Sequence, residues 1–137
     1  MNLESLFPSE RIQEIAEYCC MQRFNSVWLY TDDISEFSNR RDAFLYVIER
    51  LLTQRKAKLA NWPECIRAYA VPKDKQLKPY TPEDYLCLNS ISDIIQTFKT
   101  AFPKNEEEME DGLWFYGADC PYTIGWVQED TGILLWD

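Results

Sequence analysis

The side chains here that could do chemistry are five cysteines, a pair of adjacent aspartates and a run of carboxylates, and the chain contains no histidine. Losing the commonest general base and a common metal ligand rules out Ser-His-Asp triads, Cys-His dyads and histidine zinc sites within the chain. Cys19, Cys20, Cys65, Cys87 and Cys120 are odd in number, two adjacent and the rest scattered. They match neither a disulfide framework nor C-x-x-C metal pairs, so they read as reduced, mostly buried thiols, with a nucleophilic or redox cysteine as the sharper alternative. Asp32-Asp33 beside Trp28 and Tyr30, or Asp119 beside Cys120, would be carboxylate catalysts or hard-metal ligands if a cleft enclosed them. Turn formation is the simpler account, because aspartate is favoured where a chain reverses. The run Glu106 to Asp111 lacks the alternating oxygen ligands and internal glycine of a calcium loop, which leaves the solvated first turn of a helix or a partner contact. No phosphate-cradling glycine motif occurs among four glycines. No residue is assigned here as catalytic or metal-binding, no cofactor is expected, and the chain reads as a non-enzyme.

Charge is segregated along the chain. Met1 to Asn105 carry 14 acidic and 14 basic residues, whereas Glu106 to Asp137 carry nine acidic and no basic ones, so the net charge of −9 arises in the tail. A long-range field of that sign repels phosphate and argues against nucleic acid, and it invites a basic protein partner. Glu106, Glu107, Glu108, Glu110, Asp111, Asp119, Glu129 and Asp130 are the expected charged part of that contact. Trp114, Tyr116 and Trp126 lie in the same stretch; any of them that points outward would serve as an anchor, since Trp and Tyr are enriched at interface hot spots, although aromatics on strands are more often core.

These residues must be positioned by one globular domain spanning 1–137. Hydrophobic residues make up 46% and aromatics 15%, enough apolar surface to offset chain entropy. A chain of this size buries roughly two thirds of the surface its unfolded form exposes. No basic leader precedes an apolar run and no stretch approaches the ~18 apolar residues of a membrane span, so the expectation is a cytoplasmic protein with no membrane partner.

Helical spacing of Ile12, Ile15, Ala16 and Cys19 predicts a helix over about 9–24, and Val27 to Thr31 read as a short strand. Ser38 or Asn39 caps a long helix with Phe44, Val47, Ile48, Leu51 and Leu52 on one side, ending near Asn61 ahead of Trp62-Pro63. Ile66 to Val71 suggest a strand, 72–83 a proline-punctuated surface loop with Lys73, Lys75 and Lys78, and Thr81-Pro82 a single helical turn. Ser90 caps a third helix closed by Pro103, and Asn105 caps an acidic turn that Gly112 ends. Leu113–Tyr116, Tyr122–Gln128 and Ile133–Trp136 are strand candidates, the last two joined by a turn at Glu129 to Gly132. The predicted class is α+β, with about three helices on one side of a C-terminal antiparallel meander whose other side faces water or a partner.

Ser26 to Asp33, Asn39 to Asp42, and the stretch Phe98 to Trp136 with Phe102-Pro103, Glu106 to Met109, Gly112 to Phe115, Asp119-Cys120-Pro121 and Trp126-Val127 together resemble the bacterial family designated domain of unknown function 596. That resemblance implies genomic company with secreted toxins and hence an immunity protein, one that binds and neutralises a basic toxin domain. It brings no catalytic residues with it. The alternative expectation is a general adaptor or a self-associating protein, including a homodimer, held by an aromatic sheet face; a carboxylate- or metal-dependent enzyme ranks third.

Overall fold

The computed structural model describes residues 1–76 and 81–136. Two short helices, α1 (Leu3–Leu6) and α3 (Phe24–Leu29), flank α2 (Ser9–Cys19), and the long α4 (Phe37–Thr53) follows. After β1 (Ala57–Asn61) come α5 (Trp62–Tyr69), α6 (Ile91–Ala101) and α7 (Glu106–Met109), and the chain closes with β2 (Tyr122–Val127) and β3 (Leu134–Trp136). The strands form an antiparallel sheet in the order β1-β2-β3. The α+β class is as expected from the sequence, and α2, α4 and α6 are the three helices that periodicity predicts, although α2 ends at Cys19 rather than about 24, and Glu36, accepting from the Ser38 and Asn39 N–H groups, caps α4 in place of Ser38 or Asn39.

One face of the sheet builds the core. Ala57 and Leu59 of β1 alternate inward with Tyr122, Ile124 and Trp126 of β2, and pack with Ile12, Ile15, Phe44, Ile48, Leu51 and Phe98 from α2, α4 and α6. Phe24, Trp28, Phe44, Phe98, Phe102 and Phe115 make a connected set of edge-to-face and tilted ring pairs with centroids 5.2 to 6.4 Å apart. Such pairs each add about 0.5–1.5 kcal/mol beyond area burial.

The short segments differ from expectation, and in each case packing overrode local preference. Residues 27–31 are not a strand: Phe24, Val27 and Trp28 are buried at helical spacing while Leu29 is 55% exposed, whereas strand alternation would put Val27 and Leu29 on one side. The long helix stops at Thr53. Arg55 takes a left-handed backbone (φ 58°), and its N–H and that of Lys56 donate to the carbonyls of Leu52 and Leu51. This is the left-handed helix cap that glycine normally provides, so 57–61 are freed to pair with β2. Residues 66–71 belong to α5 and its end, because Pro63 opens that helix rather than closing the previous one. Leu113 to Tyr116 lie in a 3₁₀ segment (Glu110–Tyr116), where Trp114 and Phe115 are both buried, a neighbour pair that a one-sided strand forbids.

Helices also occupy both sides of the sheet rather than one. The outer face carries Ala60 and Thr123, both buried, with Cys65 of α5 packed away from solvent and the Trp136 ring lying against Gly125. Of the predicted loop, Lys73–Lys75 form a 3₁₀ turn and Pro82–Tyr85 another, capped by Thr81 as expected. Lys78 lies outside the described residues. No helix among the described residues is long and apolar enough to cross a membrane.

Candidate functional site

The acidic run is presented by caps and strain rather than by a long element. Asn105 accepts from the Glu108 N–H at 2.9 Å and the Glu108 carboxylate accepts from the Lys104 N–H at 3.0 Å, so the first turn of α7 is closed at both ends of the cap. Met109 is buried beneath it, and the chain then turns through three consecutive left-handed residues, Glu110 (φ 52°), Asp111 (φ 54°) and Gly112 (φ 92°). Left-handed backbone costs a residue with a Cβ roughly 1–2 kcal/mol, so burial of Met109, Trp114 and Phe115 on either side must hold the turn.

This arrangement gathers Glu107, Glu108, Glu110 and Asp119 around one broad concavity of about 1030 Å³ beside Trp114 and the α6 terminus. All four carboxylates are exposed, as is Asp111 on the same turn. Among the described residues the single base bordering the concavity is Lys104. Among the described residues no ion pair engages Glu107, Glu110, Asp111 or Asp119, and no three Cys, Asp or Glu side chains converge as metal ligands would.

The remaining predicted contact residues lie apart from this face. Glu106 turns toward Arg40, 3.3 Å away, whose guanidinium also stacks 3.9 Å over Trp28 and donates to the Trp28 carbonyl and the Thr31 hydroxyl. Glu129 sits in the β2–β3 turn, where it accepts from Gln13 at 3.0 Å and pairs with Lys56 at 3.7 Å; Asp130 is exposed beside it. The eight carboxylates therefore do not form one patch, and two are offset by cations from the first half of the chain. Trp126 is corrected as an anchor: it is 0% exposed, with its indole N–H donating to the Gln22 carbonyl at 2.7 Å. Trp114, 8% exposed, walls the concavity from within the core, and Tyr116, 40% exposed, opens elsewhere.

Tyr116 borders a second cavity that sequence reading missed. On the outer face of the sheet, Trp62, Ile66 and Tyr69 of α5 oppose Leu134 and Trp136 of β3 across a cleft of about 850 Å³. Arg23 reaches into its wall with its guanidinium 4.7 Å from the Tyr116 ring centre and 5.4 Å from that of Trp62. The indole N–H groups of Trp62 and Trp136 are buried without an acceptor. The spacing of Trp62, Cys65, Ile66 and Tyr69 was the available signal, hidden because Trp62-Pro63 reads as a helix end.

The thiols and aspartates singled out for chemistry are separate. Cys120 is buried and donates to the Tyr122 carbonyl, and burial pushes its thiol up to about 12, while Cys19 rises to about 11 for the same reason. Both are protonated near neutrality and poor nucleophiles. Asp119 is exposed beside Cys120, and Asp32 and Asp33 are exposed in the turn after α3.

The chain shares its fold, with a TM-score of 0.68 and 17% identity over 98% of its own length and 91% of the other's, with an uncharacterized protein conserved in bacteria from Neisseria meningitidis. No curated protein matches it. The family model described as a protein of unknown function, DUF596, matches residues 52–137, a span holding β1 to β3, the acidic turn and most of the aromatic cleft. A match over more than half of the sequence, ending on the acidic and aromatic segment, places this chain in the DUF596 family.

Proposed function

We propose that this chain is a binding protein without chemistry of its own, whose acidic concave face receives a basic protein, and that the partner is a toxin domain it neutralises in the cytoplasm as an immunity protein. The observation that carries the reading is the cluster of Glu107, Glu108, Glu110 and Asp119 around one concavity where, among the described residues, Lys104 is the one base. Carboxylates without counter-ions on a broad concave surface destabilise the free protein by mutual repulsion, a cost offset when a cationic surface arrives. A toxin that cuts nucleic acid must be basic where it holds phosphate, which makes it a fitting occupant.

Stopped-flow association with the protein encoded beside this gene tests the idea. The on-rate is expected to exceed 10⁷ M⁻¹s⁻¹ by order of magnitude at low salt and to fall steeply as ionic strength rises. Replacing Glu107, Glu110 and Asp119 together by their amides should lower it at least about tenfold. A rate indifferent both to salt and to the amides would sink the steering role of this face.

A further inference from the structure

We propose that the pocket between α2, the α4–β1 junction and the β2–β3 turn binds a small zwitterion of the α-amino acid class, its carboxylate held by Arg55 and its ammonium group by Glu17.

The charges that line this pocket are the first observation. It has a volume of about 480 Å³, within the usual range of small-molecule sites. Its ionic lining residues, among those described, are Glu17, Arg55, Lys56 and Glu129. Lys56 and Glu129 answer each other at 3.7 Å. The Gln13 side-chain amide donates to Glu17 at 2.9 Å and to Glu129 at 3.0 Å, so both carboxylates are held in place while only one of them meets a cation. Among the described residues no ion pair engages Glu17 or Arg55. The lining therefore offers one unanswered negative charge and one unanswered positive charge, contributed by different elements of the fold.

Arg55 itself is the second observation. It occupies a left-handed position (φ 58°) that glycine fills without a Cβ penalty, and among the described residues its exposed guanidinium makes no hydrogen bond or ion pair that would offset the strain. A long cation kept where the fold alone is better served by glycine is explained by what it binds rather than by what it stabilises. Gln54, its neighbour in the lining, adds an amide donor.

Charge then selects the guest. A simple anion meets Glu17 and the field of a molecule with a net charge of −9, a simple cation meets Arg55, and an uncharged guest leaves both groups unanswered. A zwitterion answers both at once. Ala16, Cys20 and Val127, each half-buried, give the body of such a molecule an apolar surface to rest on. The acidic concavity shares no lining residue with this pocket, so the two sites stand or fall separately.

Titration of the whole protein with each proteinogenic L-amino acid, followed by backbone amide shifts in two-dimensional NMR and by thermal melting, tests the proposal. At least one amino acid at millimolar concentration is expected to raise the melting temperature and to move the Gln54, Arg55 and Val127 amides. Its N-acetyl and carboxamide derivatives, which lack one charge each, should bind at least about tenfold more weakly, as should the free amino acid to Arg55→Gly and to Glu17→Gln. Arg55→Lys should retain part of the affinity. Arg55→Gly keeps the backbone conformation of the cap, so its loss of binding is read on a folded protein. The proposal is overturned if no amino acid moves those amides, if the N-acetyl derivative binds as well as the parent, which would leave a plain carboxylate site, or if binding is indifferent to Arg55→Gly.

Discussion

Gly112 is the residue on which the acidic turn depends. Its φ of 92° disfavours any side chain, and a Cβ built there would overlap Asn25 Oδ1 on α3, so the glycine joins the carboxylate-bearing turn to the first half of the chain. Gly112→Ala should cost about 2–3 kcal/mol in urea unfolding, from left-handed strain plus overpacking. Adding Asn25→Ala should recover the overpacking share and leave the strain, a difference a double-mutant cycle resolves. Cys120 gives a second residue-level expectation. Its thiol sits at about 12 in the folded protein against an ordinary 9.0, and Tyr122 beside it rises to about 12 from 10.0, in both cases mainly through burial. The unfolded chain therefore releases protons that the folded chain retains, so the stability these groups contribute is intact below pH 9 and declines as pH rises toward 12. Unfolding free energies from urea titrations across that window should fall, by at most about 1.4 kcal/mol per pH unit for each group, and Cys120→Ala should make the decline shallower.

At the scale of elements, the cap after α4 decides where helix gives way to strand. Arg55 holds a conformation that glycine adopts without a Cβ penalty, and its side chain is exposed. Arg55→Gly should therefore stabilise the protein by about 0.5–1 kcal/mol, read as a raised melting temperature with unchanged circular dichroism. A loss of stability would mean that the side chain, rather than the backbone, matters at the α4–β1 junction. This junction also accounts for β1 itself. Ala57-Lys58-Leu59-Ala60-Asn61 has little strand propensity, and its alternation of buried Ala57 and Leu59 with exposed Lys58 acquires meaning only when β2 lies alongside.

For the whole molecule, the balance of charge separates folding from binding. Carboxylates around the concavity repel one another, and among the described residues no ion pair engages Glu107, Glu110 or Asp119, so raising sodium chloride from low to moderate concentration should increase the melting temperature. The amide variant of Glu107, Glu110 and Asp119 should be as stable as the parent or more so at low salt, and should lose most of that salt response. A destabilised amide variant would show that those side chains serve the fold. The two open features, acidic concavity and aromatic cleft, draw on different elements of the fold.

The sequence by itself determined α2, α4 and α6, the β2–β3 turn, the caps at Ser90 and Asn105, and the concentration of negative charge after Asn105. Each is a local pattern, read from residues three to seven apart or from composition. Only the tertiary structure decided that Phe24 to Leu29 coil as a helix around the aromatic core, that 57–61 join the sheet, and that α5 covers its outer face to form the cleft. Short segments carry too few local contacts to fix their own conformation, so their state is set by partners distant in sequence. The same reason divides the carboxylates. Their number is a property of the chain, but whether Glu106 and Glu129 stand free or meet Arg40 and Lys56 depends on contacts that span 66 and 73 residues of sequence.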